Sequence, residues 1–189
     1  FYYGPSHLPA NLQADNHLAS FPYRTDMSQL QIPWDINFAY AVFSAQINFD
    51  STVFEGKANF QFAEFNDLLF MSGVECKGKA DFKGASFHFR TDMRGLTFRE
   101  EALFWYARFS GEWDLRKSHF RKAGVFGDTR FWNEVNCSAV VFDTLAFFRQ
   151  AQFFQAANFE QTSFRDLADF QKAVFKSSLS LLLPSGFRK

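Results

Sequence analysis

Large apolar residues recur along this chain at steps alternating between five and six residues, and that rule leaves few folds open. The series runs Met27, Ile32, Phe38, Phe43, Phe49, Phe54, Phe60 and onward without a break to Phe170 and Phe175. It has 28 sites; Phe fills 21, and Met, Cys, Ile or Leu fill the rest. Two residues before each site stands a second column, from Thr25 and Leu30 to Ala168 and Ala173, that carries no charge. Residues two apart share one face of an extended strand. The rival is an eleven-residue helical repeat, which would give a right-handed coiled coil. Its apolar offsets of 0, 2, 5 and 7 scatter right round a helix at about 100° per residue and form no stripe. Self-similarity of short extended segments at a fixed period is the signature of a solenoid.

One turn must hold 22 residues and not 11. The period-22 sets that start at Phe38 and Phe43 are Phe at all 14 sites, whereas those that start at Met27 and Ile32 hold all seven exceptions. The small column divides the same way, with Ala at 11 of 14 positions behind the first two sets and only once, at Ala157, behind the others. An 11-residue turn would stack unlike sites and erase this difference. The expected core is therefore Phe38, Phe43, Phe60, Phe65, Phe82, Phe87, Phe104, Phe109, Phe126, Phe131, Phe148, Phe153, Phe170 and Phe175. Interior volume is conserved, so Trp113 in a small-residue slot should face inward where its partner shrinks to Leu115. The residue before the lattice site is Asp or Asn at 10 of the 14 places that follow a six-residue step, and never after a five-residue step. Short carboxylates and amides cap backbone N–H groups in turns, so these residues should hold the longer corner. A metal-binding ladder would need a Gly-rich calcium pattern, which is missing.

The phrases Ala58-Asn59-Phe60, Ala80-Asp81-Phe82, Ala157-Asn158-Phe159 and Ala168-Asp169-Phe170 resemble the Ala-(Asp/Asn)-(Leu/Phe) motif of pentapeptide-repeat proteins. The resemblance covers about residues 14–181. It implies an all-β fold, a right-handed quadrilateral β-helix of about seven coils, with the central residue and the small residue two before it pointing inward. This chain departs in its 22-residue turn and in Phe at the centre. The expected organisation is an irregular N-terminal cap over 1–22, the β-helix over 23–178 and a C-terminal cap or tail over 179–189. In the last, the apolar run Leu179–Leu183 is a candidate surface for self-association.

The chemistry expected of the chain is sparse. His7, His17, His88 and His119 show no ligand spacing. Cys76 and Cys137 occupy core sites about three layers apart, farther than a disulfide reaches. No phosphate loop, nucleophile elbow or dinucleotide fingerprint is present, so neither enzymatic activity nor a cofactor is expected. Gly73, Gly84 and Gly95 recur as corner glycines. Outward positions carry Tyr40, Phe62, Trp105, Tyr106, Trp132, Phe147 and Phe154; of these, all but Phe147 form the candidate interaction surface. The plainer reading is that the aromatics pack on one another. Arg94, Arg99, Arg116, Lys117, Arg121 and Lys122 make a basic middle, diluted by Asp92, Glu100, Glu101, Glu112 and Asp114. Twenty basic residues balance twenty acidic ones, which gives no bulk reason to expect a nucleic acid as partner. No apolar run is long enough to insert into a membrane, and two unpaired core thiols suit the cytoplasm. The expected role is a non-enzymatic structural or protein-interaction module. Two alternatives stand beside it. The resemblance implies a DNA-mimic regulator of a type II topoisomerase, which needs an acidic surface. The chain could also be a soluble domain of a larger, membrane-anchored protein.

Overall fold

The computed structural model describes residues 19–181, and among these it is a four-sided β-solenoid without a helix. Thirty strands of two residues each run from Ser20–Phe21 to Leu179–Ser180. Every fourth strand joins the same sheet, so the chain builds four parallel sheets. Side 1 carries Phe21, Phe43, Phe65 and so on to Phe175, and side 2 carries Met27 to Leu181; each has eight strands. Side 3 carries Ile32 to Phe164, side 4 carries Phe38 to Phe170, and each has seven strands. The register is 22 residues throughout, with Phe21 opposite Phe43, Ile32 opposite Phe54, and Ala58 opposite Ala80.

Both inward columns are buried as their spacing requires. Phe38, Phe60 and Phe82 stack at centroid separations of 5.3 and 4.8 Å, and Phe43, Phe65 and Phe87 at 4.8 and 5.0 Å. Of the fourteen expected core phenylalanines, the first twelve are fully buried, while Phe170 and Phe175 are partly open on the last coil. The small column supplies the space into which each ring fits. At Gly124 even a Cβ would lie 2.9 Å from Phe142 and 3.0 Å from Phe120. Trp113 does face inward. It is 1% exposed, stacked on Phe109 and Phe131 at 4.7 and 5.2 Å, with its indole N–H directed at Met93 Sδ 3.4 Å away.

Each five-residue step is a tight turn. At most of them the N–H three residues after the lattice site donates back to that site's carbonyl, as Ala41 does to Phe38 at 3.0 Å; at Met27 and Met93 a hydroxyl of the next coil takes that N–H instead. The residue two after the lattice site has positive φ at every eleventh position from Gln29 to Lys172, as a type II turn demands. Gly73, Gly84 and Gly95 fill three of these places. The corner carboxylates and amides behave differently from the expectation. All ten accept a hydrogen bond from the N–H two residues ahead, from Asp26 with Ser28 at 3.0 Å to Asp169 with Gln171 at 2.8 Å. That N–H opens the short corner that follows, so these residues hold the five-residue turn and not the longer step. At Phe70, one of the four places without Asp or Asn, Asp50 of the preceding coil caps Ser72 N instead, at 2.7 Å.

Buried hydroxyls tie coils together. Ser118 Oγ donates to Met93 O at 2.6 Å and accepts from Leu96 N at 3.0 Å, inserting itself into the turn of the coil before. Thr52 repeats this with Met27 and Leu30. No buried side-chain nitrogen or oxygen among the described residues lacks a partner.

The ladder also begins earlier than expected. Ser20–Phe21 already pairs with Val42–Phe43, so the first side lies inside the segment assigned to the N-terminal cap. At the other end Leu179–Ser180 pairs with Ala157–Asn158 and continues side 2. Residues 1–18 and 182–189 of the expected caps, with His7, His17 and the end of the run Leu179–Leu183, lie outside the described residues.

Candidate interaction surface

The outer face of side 1 is a grid set by the fold. Within each coil one residue stands at the left-handed corner, one just before the lattice Phe, and one just after it. Coil by coil these are Tyr106, Arg108 and Ser110; then Asp128, Arg130 and Trp132; then Gln150, Gln152 and Phe154; then Lys172, Val174 and Lys176. Strand register places Arg108 directly opposite Arg130, and Arg130 opposite Gln152. The Trp132 ring stacks on Phe154 at 4.0 Å and 16°, and Lys176 Nζ caps Phe154 at 4.2 Å. Trp132 remains 46% exposed. Tyr106, Arg108, Asp128, Arg130 and Gln152 line a cleft of about 150 Å³.

The other expected aromatics separate into two groups. Tyr40 stacks on Phe62 at 5.1 Å along the corner between sides 4 and 1, and the Phe62 ring lies over Gly84, where a Cβ would come within 2.5 Å of it. Both rings and Tyr106 stay exposed at positive φ, where a bulky side chain is strained by about 1–2 kcal/mol. Trp105 and Phe147 instead pack together, at 5.7 Å, on the outer face of side 4. Trp105 lies over Gly127, where a Cβ would meet its ring at 2.1 Å. With half-buried Leu103 and Val125 they form a strip that largely covers itself; Tyr106, Leu145 and Leu167 beside it are exposed.

Elsewhere several charges are paired, although Lys117, Arg121 and Lys122 have no ion-pair partner among the described residues. On side 2 Arg94 forks onto Asp92 at 2.8 and 2.6 Å, and Arg116 onto Asp114 at 2.9 and 2.7 Å. Burial pushes the Asp114 carboxyl up, but hydrogen bonds from the Arg116 side chain and backbone and the charges of Arg116 and Arg94 outweigh it and hold the group below the usual carboxylate range. The open notch there, bounded by Gly73, Gly95, Arg94, Arg116 and Lys117, therefore has two arginines already engaged. On side 3 Lys77 meets Glu55, Arg99 meets Glu75, and Asp143 takes both His119 and Arg165 at 2.8 Å. His88 is exposed. Cys76 and Cys137 are fully buried and unpaired, in different columns, and burial pushes both thiols well up. Among the described residues no group of His, Cys, Asp and Glu is placed to hold a metal.

Arg108 and Arg130 differ from these. Among the described residues neither lies within 4.0 Å of a carboxylate, and like charges directly opposite on neighbouring strands destabilise a sheet. They were not among the expected surface residues. The period of 22 already aligns Glu64, Ser86, Arg108 and Arg130 in the column before the lattice Phe, and that alignment is the signal that finds them. No family model, curated protein or solved structure matches this chain. No helix among the described residues is long and apolar enough to cross a membrane.

Proposed function

We propose that this chain is a non-enzymatic protein-interaction module of pentapeptide-repeat type, a rigid rod that presents side 1 to a protein partner. The observation that carries the reading is the exposed Trp132–Phe154 stack on a face that also displays two uncompensated arginines. Tryptophan, tyrosine and arginine dominate the energetics of protein interfaces. A solenoid with continuous backbone ladders keeps such a patch preorganised, which lowers the entropy cost of docking. The aromatic residues at strained corners support the same reading, because a strained exposed aromatic contributes little to a fold that accepts Gly at the same corner. The four parallel sides, the inward central residue with an inward residue two places before it, and the capping Asp or Asn support the family assignment, from which the 22-residue turn and the central Phe depart. Affinity capture with the wild-type chain and with a Trp132→Ala, Phe154→Ala variant, both shown folded by circular dichroism, tests the proposal. A stoichiometric partner lost with the variant is expected; identical captures would overturn it.

A further inference from the structure

We infer that side 1 between Tyr106 and Phe154 docks an acidic protein segment, with carboxylates on Arg108 and Arg130 and an apolar side chain against the Trp132–Phe154 stack. The inference rests on the interaction reading above and adds the chemistry of the partner. Its basis is charge complementarity. Strand pairing holds the two arginines in register, about 4.8 Å apart along the rod. Among the described residues neither has a carboxylate within 4.0 Å, whereas Arg94 and Arg116 on side 2 and Arg99 and Arg165 on side 3 do. Arg99 and Arg165 show that the same outward geometry readily accepts a Glu or Asp from a neighbouring coil; Arg121 on side 3 is also without an ion-pair partner among the described residues, but on side 1 two such guanidiniums lie directly opposite each other beside an exposed indole.

The surrounding charges favour an anion. Asp128, the one carboxylate lining the cleft, accepts a hydrogen bond from Gln150 at 3.0 Å and engages neither arginine within 4.0 Å. Further along the face Lys172 and Lys176 add positive charge with no ion-pair partner among the described residues. Glu112 and Glu134 stand on the corner leading to side 2, beyond Ser110 and Trp132. A guanidinium binds carboxylate as a two-pronged fork. A docked segment would also relieve the repulsion between the two arginines, so binding and the opposed charges are two sides of one arrangement. Two residues further along the same coil, Trp132 offers a flat apolar surface, and that favours a peptide with an apolar residue among its acids over an inorganic or nucleic-acid polyanion.

The test uses the full chain and a fluorescein-labelled peptide of glutamates around one phenylalanine, followed by anisotropy. Saturable binding that weakens with added salt is expected. The Arg108→Gln, Arg130→Gln double variant should weaken it by at least about tenfold, the order expected for losing charge-assisted hydrogen bonds. Trp132→Ala should weaken it too, and that dependence should vanish when the peptide's phenylalanine is replaced by alanine. Arg99→Gln and Arg165→Gln on side 3 should change nothing. Because the double variant removes opposed like charges, its denaturation midpoint should match or exceed that of the wild type; a fall would mean that the arginines serve the fold, and would overturn the inference. Absence of saturable binding, equal losses from the side 3 controls, or tighter arginine-dependent binding of a polyphosphate of equal charge would each overturn it as well. If a cellular partner is lost with Trp132→Ala, Phe154→Ala yet retained by the arginine variant, the acidic segment is refuted while the interaction reading stands.

Discussion

Trp113 is the one large residue in the small column, and its surroundings make it a quantitative test of the solenoid's packing. The indole lies between Phe109 and Phe131 and against Phe104 and Phe126. In the adjoining column of side 2 the three successive lattice residues at that height, Met93, Leu115 and Cys137, are all smaller than Phe. Volume taken by the indole is thus given up across three coils. Trp113→Ala should cost about 3–5 kcal/mol, because ladders above and below prevent the coil from collapsing into the void. Leu115→Phe alone should overpack a fully buried site and cost about 1–3 kcal/mol. If the effects were independent, the double variant would lose about 4–8 kcal/mol. It instead restores the common Ala-Asp-Phe phrase found at residues 80–82, so the new ring should enter the vacated space and recover about 1–3 kcal/mol of that sum, as residues in contact do. The assay is equilibrium urea denaturation of all four chains, with the slopes compared to confirm that each unfolds over the same surface. Additivity within about 0.5 kcal/mol would refute the shared volume.

Phe104 stacks between Phe82 and Phe126 at 4.8 and 5.1 Å, so Phe104→Ala should cost about 3–5 kcal/mol by denaturant titration; Phe89, 54% exposed, should lose under about 0.5 kcal/mol on the same change. Ser118→Ala strands both Met93 O and Leu96 N and should cost about 1–3 kcal/mol. Thr162→Val should cost less in the same titration, since Val140 N still reaches Cys137 O at 3.2 Å. Burial raises the Asp50 carboxyl above its ordinary value, the bond from Ser72 N opposing and the charge of Asp92 adding to the rise. An acid raised in the folded state destabilises it when ionised. Asp50→Asn keeps the acceptor for Ser72 and should therefore be the more stable protein at pH 7. That advantage should shrink as the pH falls through the folded-state value toward about 3.9, the unfolded one; thermal melts from pH 7 to 3.5 read it, and a gap that stays constant with pH would contradict it.

The interior was legible because its sites constrain one another. A Phe at position 60 is tied to Phe38 and Phe82 by stacking and to the Ala at 58 by volume, so period, side number and inward direction all follow from the string of residues. Corner function was only half legible. The correlation of Asp and Asn with the six-residue step is real, yet the bond they make runs forward to the next N–H, and a spacing rule does not say in which direction a side chain turns. Outward residues are constrained least, because each answers mainly to its own neighbours one coil away. Arg94 and Arg108 are alike in sequence terms, both outward, basic and 22 residues from another arginine. What separates them is local reach. Arg94 has a carboxylate two residues earlier on the same strand turn, whereas the position two before Arg108 is Tyr106 at a left-handed corner. Pairing is thus decided by the short-range chemistry around each column. On side 1 no such carboxylate among the described residues is within reach, so Arg108 and Arg130 stay unmatched beside an exposed indole, a lack of pairing that no spacing rule reveals.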